Sequence, residues 1–169
     1  MMSETFKMDE IDRKIIALVQ EQPSLTHTQI AEKVDRSQPT VGMRIRRLEE
    51  QGVLQFQAGI NLKAADMYFA RVDVKTNNPL EIYEIVNKCP FLLNAFRLSG
   101  TIEISILMAG FAIEDIDRIV NSHLRSNPNV SMVQVELITD IMKDFVIPFD
   151  FNLSKCDCIL DEYCWGNKK

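Results

Sequence analysis

The chain has 169 residues, 46% of them apolar and 25% charged, with a net charge of -5; this excludes collagen-like and disordered classes and leaves room for one or two small domains. It has no run of about 18 apolar residues and no charged-then-apolar start, so neither a membrane span nor a signal peptide is expected, and a cytoplasmic location is. Acidity disfavours nucleic-acid binding, but the excess lies mostly in the second part: residues 1–52 hold eight basic and nine acidic groups, residues 53–169 eleven and fifteen. Any DNA affinity should therefore be salt-sensitive and depend on several subunits acting together.

From Met8 to Gln22 the apolar residues Ile11, Ile15, Leu18 and Val19 recur at helical spacing, with acids in the first turn that suit the helix dipole, and Pro23 ends the helix. Leu25 to Leu54 then predicts two short helices joined by a tight turn at Asp35 and Arg36. Ile30, Ala31 and Val34 mark the buried side of the first, and Ala31 is small enough for close crossing. Ser37 is a good N-cap and Pro39 fits a first turn, so the second helix should run from about Gln38 to Gln51, with Gly52 stopping it.

At about 100° per residue, Val41, Ile45 and Leu48 form one stripe of that helix, while Pro39, Thr40, Met43, Arg46 and Arg47 lie opposite, with Arg44 on the flank. Four arginines and no acid occur from Arg36 to Arg47. An amphipathic helix with a wet arginine face is common, but the preceding helix, turn and cap make this a DNA-reading helix-turn-helix. Gln38, Thr40, Met43 and Arg47 are the expected groove-facing residues, Arg36, Arg44 and Arg46 the expected phosphate or base contacts, and Ser37 a further DNA-binding residue.

Val53 to Asp66 alternates only weakly and reads as a short strand and connector. Beyond it, Phe69–Thr76 alternates as a strand, Pro79–Lys88 has helical spacing and Leu92–Leu98 is extended. Ile102–Ala109 is again a strand, Ile113–Arg125 a helix and Val130–Ile138 a strand after the turn Asn127-Pro128-Asn129. The order βαββαβ is ferredoxin-like, two helices covering one face of a four-stranded antiparallel sheet, and the fold class is α+β. Ala70, Val72, Val74, Ile102, Ile104, Ile106, Val133, Val135 and Leu137 should lie under the helices. The other face mixes Phe69, Arg71, Leu107 and Met132 with Asp73, Glu103, Gln134 and Glu136, a composition suited to self-association. The expected division is 1–52 helix-turn-helix, 53–66 connector, 67–147 ferredoxin-like domain and 148–169 tail.

Taken together, Met8-Asp9-Glu10-Ile11-Asp12-Arg13-Lys14-Ile15, Ile30-Ala31, Ser37-Gln38-Pro39-Thr40-Val41, Arg44 through Leu48 with Glu49, Gly52-Val53-Leu54 and the following βαββαβ order resemble the Lrp/AsnC family of transcription regulators over nearly all of residues 8–145. The resemblance implies a homodimer built from the second domains, often assembled into tetramers or octamers, acting on pseudopalindromic double-stranded DNA. It also implies a small-molecule effector site at the loop Ser99-Gly100-Thr101-Ile102-Glu103. There Thr101 replaces the first acid of the family's Gly-Asp-Tyr-Asp pattern and Glu103 keeps the second; a plain hairpin turn is the competing reading. Asp35 stands where the family usually has glycine, and Asp tolerates a left-handed backbone better than most residues.

The tail carries Cys156, Cys158 and Cys164, three thiols that could ligate Zn²⁺ or Cu(I), with Asp157, Asp161, Glu162, Cys89 or a thiolate from another subunit completing the set. A disulfide and reduced surface thiols are the alternatives. No nucleophile motif, phosphate-cradling loop or His-Glu metal motif occurs, so an enzyme is not expected. A haem-pathway decarboxylase is the one enzyme alternative, because sirohaem decarboxylases resemble the same two-domain family and His123 lies in the second domain. A metal-binding or redox-sensing variant using the tail cysteines is the other alternative.

Overall fold

A computed structural model describes residues 7–150, and the chain divides between Gln57 and Ala58 into two compact units. The first unit holds three helices, α1 (Glu10–Glu21), α2 (His27–Val34) and α3 (Gln38–Glu50). Each starts on a side-chain cap that satisfies backbone donors otherwise left open: Asp9 for α1, Thr26 for α2 and Ser37 for α3. The predicted stripes meet in one core, with Ile15, Ile30, Val41 and Leu48 essentially excluded from solvent and Val19, Ala31, Val34, Ile45 and Leu54 packed around them. Asp35 takes the left-handed conformation at φ 52°, which turns the chain between α2 and α3, and Gly52 at φ 67° turns it after α3.

The second unit contains β1 (Ile60–Asn61), β2 (Tyr68–Thr76), α4 (Pro79–Lys88), β3 (Leu92–Arg97), β4 (Ile104–Gly110), α5 (Ile113–Val120), β5 (Val130–Ile138) and β6 (Val146–Ile147). The four long strands form an antiparallel sheet in the order β3-β4-β2-β5, the ferredoxin-like arrangement. The core lies between this sheet and the helices and includes Val72, Val74, Ile82, Ile104, Ile106, Met108, Ile116 and Leu124. Glu81, in the first turn of α4, accepts hydrogen bonds from Asn127 Nδ2 (2.9 Å) and Asn129 Nδ2 (2.8 Å), tying the helix start to the turn before β5.

Several expectations for this unit are corrected. The helix beginning at Ile113 is α-helical only to Val120 and closes in a π-helical turn over Asn121–Arg125. Ile102 precedes β4, which starts at Ile104. Leu137 pairs with Ala70 on the helix-covered face but stays 44% exposed, because it sits near the end of an edge strand that has a neighbour on one side only.

The opposite sheet face, whose composition suits self-association, is partly covered by the chain itself. Phe69 and Ala109 are buried beneath Leu62, with Ile60, Leu107, Ile138 and Ile147 packed alongside, so the chain itself covers that end. The cover is held by the antiparallel pair β1–β6, and Gly59 is required where the two segments approach, since a Cβ there would collide with the Ile147 carbonyl. Beyond that cover the face carries a polar cluster, in which Arg71 bridges Glu136 at 2.8 Å and Ser105 Oγ donates to Asp73 at 2.6 Å, beside the exposed Phe96 and Met132.

Candidate nucleic-acid interface

The candidate interface begins at the α2–α3 turn. Ser37 caps α3 through its hydroxyl, which accepts from Thr40 N (3.4 Å) and shares a 2.8 Å hydrogen bond with Thr40 Oγ1. Arg36 is exposed and folds its Nη1 onto the Asp35 carbonyl at 2.6 Å. Gln38 is exposed at the first turn, Met43 is 68% exposed at mid-helix, and the Arg46 side chain is 81% exposed while bridging Glu50 at 2.9 Å. An exposed Met flanked by cationic and amide side chains gives this helix face both apolar and hydrogen-bonding capacity, the combination that distinguishes base edges in a major groove.

Arg44 and Arg47 lie elsewhere than the helical wheel suggests. Arg44 Nη1 donates to Asp9 Oδ2 and Asp12 Oδ1, both at 2.7 Å, and its side chain is only 24% exposed. Arg47 Nη2 donates to Asp12 Oδ2 at 2.7 Å, with about half of the side chain exposed. Both guanidinium groups therefore turn onto α1. Asp12 is completely buried, and its Oδ2 also accepts from Asp9 N at 3.1 Å. Backbone hydrogen bonding from Asp12 N, followed by the Arg44 guanidinium, lowers the Asp9 pKa, while Asp9 and then Asp12 raise that of Arg44.

The helix dipole accounts for acids in the first turn of α1 but not for this cluster. A signal was present: Asp12 falls three and seven residues before Ile15 and Val19, on the buried stripe, where a lone carboxylate would be costly without cationic partners.

In the second unit, Ser99, Gly100 and Thr101 form an exposed bend between β3 and β4, with open space around Gly100. Glu103 is half-buried, and its Oε2 accepts from Thr76 N at 3.2 Å, so the retained acid braces the β2 end. His123 lies in the π-helical turn with Nε2 buried and unpaired, and burial lowers its pKa. Cys89 is buried in the sheet–helix core. Cys156, Cys158 and Cys164 lie outside the described residues, as do Asp157, Asp161 and Glu162.

A three-helix unit with a capped and outwardly exposed third helix, followed by a ferredoxin-like unit, is the architecture of a helix-turn-helix protein. Residues 8–55 match the family model described as winged helix-turn-helix DNA-binding. An HTH-type transcriptional regulator of Pyrococcus furiosus is 28% identical over 142 residues, covering 82% of this chain and 95% of its own. The leucine-responsive regulatory protein of Rhizobium meliloti is 26% identical over 145 residues, covering 82% and 93%. In fold, the chain is similar to Escherichia coli AsnC at a TM-score of 0.69 and 12% identity, covering 84% and 99%. It is likewise similar to a Neisseria meningitidis transcriptional regulator solved with L-Met, at 0.67 and 22%, covering 86% and 98%. The chain is thus similar over most of its length to helix-turn-helix transcriptional regulators, a leucine-responsive regulatory protein among them.

Proposed function

We propose that the protein reads operator DNA with the outer face of α3. Gln38, Thr40, Met43 and Arg46 would face the groove, and Arg36 and Ser37 would meet the flanking backbone. The observation carrying this reading is Met43, a large apolar side chain 68% exposed in the middle of a capped, arginine-bearing helix. The protein would act as a non-enzymatic cytoplasmic regulator; its named relatives are regulators, and among the described residues no helix is long and apolar enough to cross a membrane.

Two copies would associate through the second unit. Phe96 and Met132 stay 52% and 39% exposed on strands of its sheet, and pairing two copies would let two reading helices meet successive grooves. A small-molecule effector is supported by the L-Met bound to the Neisseria relative, and the exposed bend Ser99-Gly100-Thr101 with Glu103 is the place to look for it. Its chemistry would differ from that of a site with two acids, since Glu103 already accepts from Thr76 N.

The test is operator affinity of the full chain with Met43→Ala and Arg46→Ala. Loss of each base contact should weaken the preferred duplex by about 1–3 kcal/mol and relax preference at one position. An unchanged ranking of operator variants would contradict the assignment.

A further inference from the structure

The chemistry of α3 is set partly from α1. Asp12 is wholly buried and is reached by guanidinium groups from two successive turns of α3, Arg44 on Oδ1 and Arg47 on Oδ2, each at 2.7 Å; Asp9 holds Arg44 from the rim at the same distance. Two carboxylates and two guanidiniums cancel in formal charge. Since Arg46 bridges Glu50, every arginine of α3 has an acidic partner. The helix that reads as strongly cationic in sequence is therefore nearly charge-matched in structure.

Non-specific DNA binding is driven by phosphate neutralisation and counterion release, so matched arginines contribute less to it than unpaired ones. Base reading depends instead on fixed rotation and position of the helix. Two anchors one turn apart on one carboxylate oppose both rolling and sliding of α3 against α1.

We propose that Asp12 is a positioning residue of the DNA interface: it fixes the rotation of α3 through Arg44 and Arg47 and restrains their charge, suppressing non-specific phosphate binding in favour of sequence reading. The inference rests on α3 being the DNA-reading element.

The test compares the full-length wild type with Asp12→Asn, Asp9→Asn and the double variant Asp12→Asn/Arg44→Gln. The probes are a random-sequence duplex and the duplex that wild type enriches from a random pool, each titrated across a salt series. Asp12→Asn should bind the random duplex more tightly, with a salt slope steeper by about one per subunit, while its preference for the enriched duplex falls about tenfold or more. Asp9→Asn, altered at the exposed rim, should shift the same quantities in the same direction by less. The double variant, again charge-matched, should return the random-duplex slope to the wild-type value.

Unchanged slopes and preference in Asp12→Asn, or a parallel loss of both affinities with helicity intact, would overturn the proposal. If Asp12→Asn does not fold, Asp9→Asn decides the matter by the same criterion. A wild type with no preferred duplex would overturn the α3 reading itself, whereas a preference indifferent to these substitutions overturns only the role of Asp12.

Discussion

Gly59, the residue before β1, lies against the end of β6, so near the Ile147 carbonyl that a side chain there has no room. This approach places Leu62 and Ile60 over Phe69 and Ala109 and closes one end of the sheet. Gly59→Ala must push β6 away or bend β1, and overpacking of this kind costs about 1–3 kcal/mol. The second unit should melt lower by that amount, while Gly100→Ala, with open space around it, should melt as wild type does. Equal melting of the two variants would contradict this account of the cover.

The turn before α3 gives a prediction of opposite sign. Asp35 holds φ 52°, a conformation that costs an L-residue about 1–2 kcal/mol and glycine almost nothing. Asp35→Gly should leave the first unit as stable or more stable, Asp35→Val should destabilise it, and Ser37→Ala should cost about 1 kcal/mol through loss of the α3 cap. Urea denaturation of the three variants checks the order.

Truncating Leu48, fully buried at the centre of the three helices, should cost about 2–5 kcal/mol. A three-helix unit of this size has little stability in reserve. Leu48→Ala should therefore lose DNA binding together with helicity. Retained helicity with lost binding would mean that Leu48 acts on DNA and not on the core.

His123 links stability to pH. Burial lowers its pKa below the ordinary 6.5, so the unfolded chain takes up a proton more readily than the folded one. The stability contributed by the neutral ring is complete above 6.5 and is lost as pH falls from 6.5 through the lowered folded value. With Nε2 buried and unpaired, His123→Leu should keep or gain stability at neutral pH, by up to about 1–3 kcal/mol, and should flatten the acid side of the profile. A profile of unchanged slope in His123→Leu would assign it to other groups.

What could be read from sequence was what local periodicity encodes. The stripes Ile15–Val19, Ile30–Val34 and Val41–Leu48, the Ser37 cap, the left-handed Asp35 and the βαββαβ order all depend on neighbours within a turn or along a strand. The Arg44–Asp12 and Arg47–Asp12 pairs do not. They join positions 32 and 35 residues apart, and a helical wheel locates a Cβ, not a guanidinium four bonds further out that can reach around the helix. Phe69 was similarly legible as a residue on the second sheet face, but its cover by Leu62 rests on β1 pairing with β6 some 85 residues later, two strands of two residues each with no periodicity to detect. The π-helical turn at Asn121–Arg125 leaves the apolar spacing of α5 nearly intact and is invisible for that reason.

Enrichment of duplex DNA from a random pool by the full-length protein tests the central claim most directly. A defined sequence with two related half-sites about one helical turn, or a multiple of it, apart is expected. Met43→Ala and Arg46→Ala should change which bases are enriched within a half-site. A pool that stays random through selection, bound only in proportion to salt, would contradict the assignment of α3 as a sequence-reading helix.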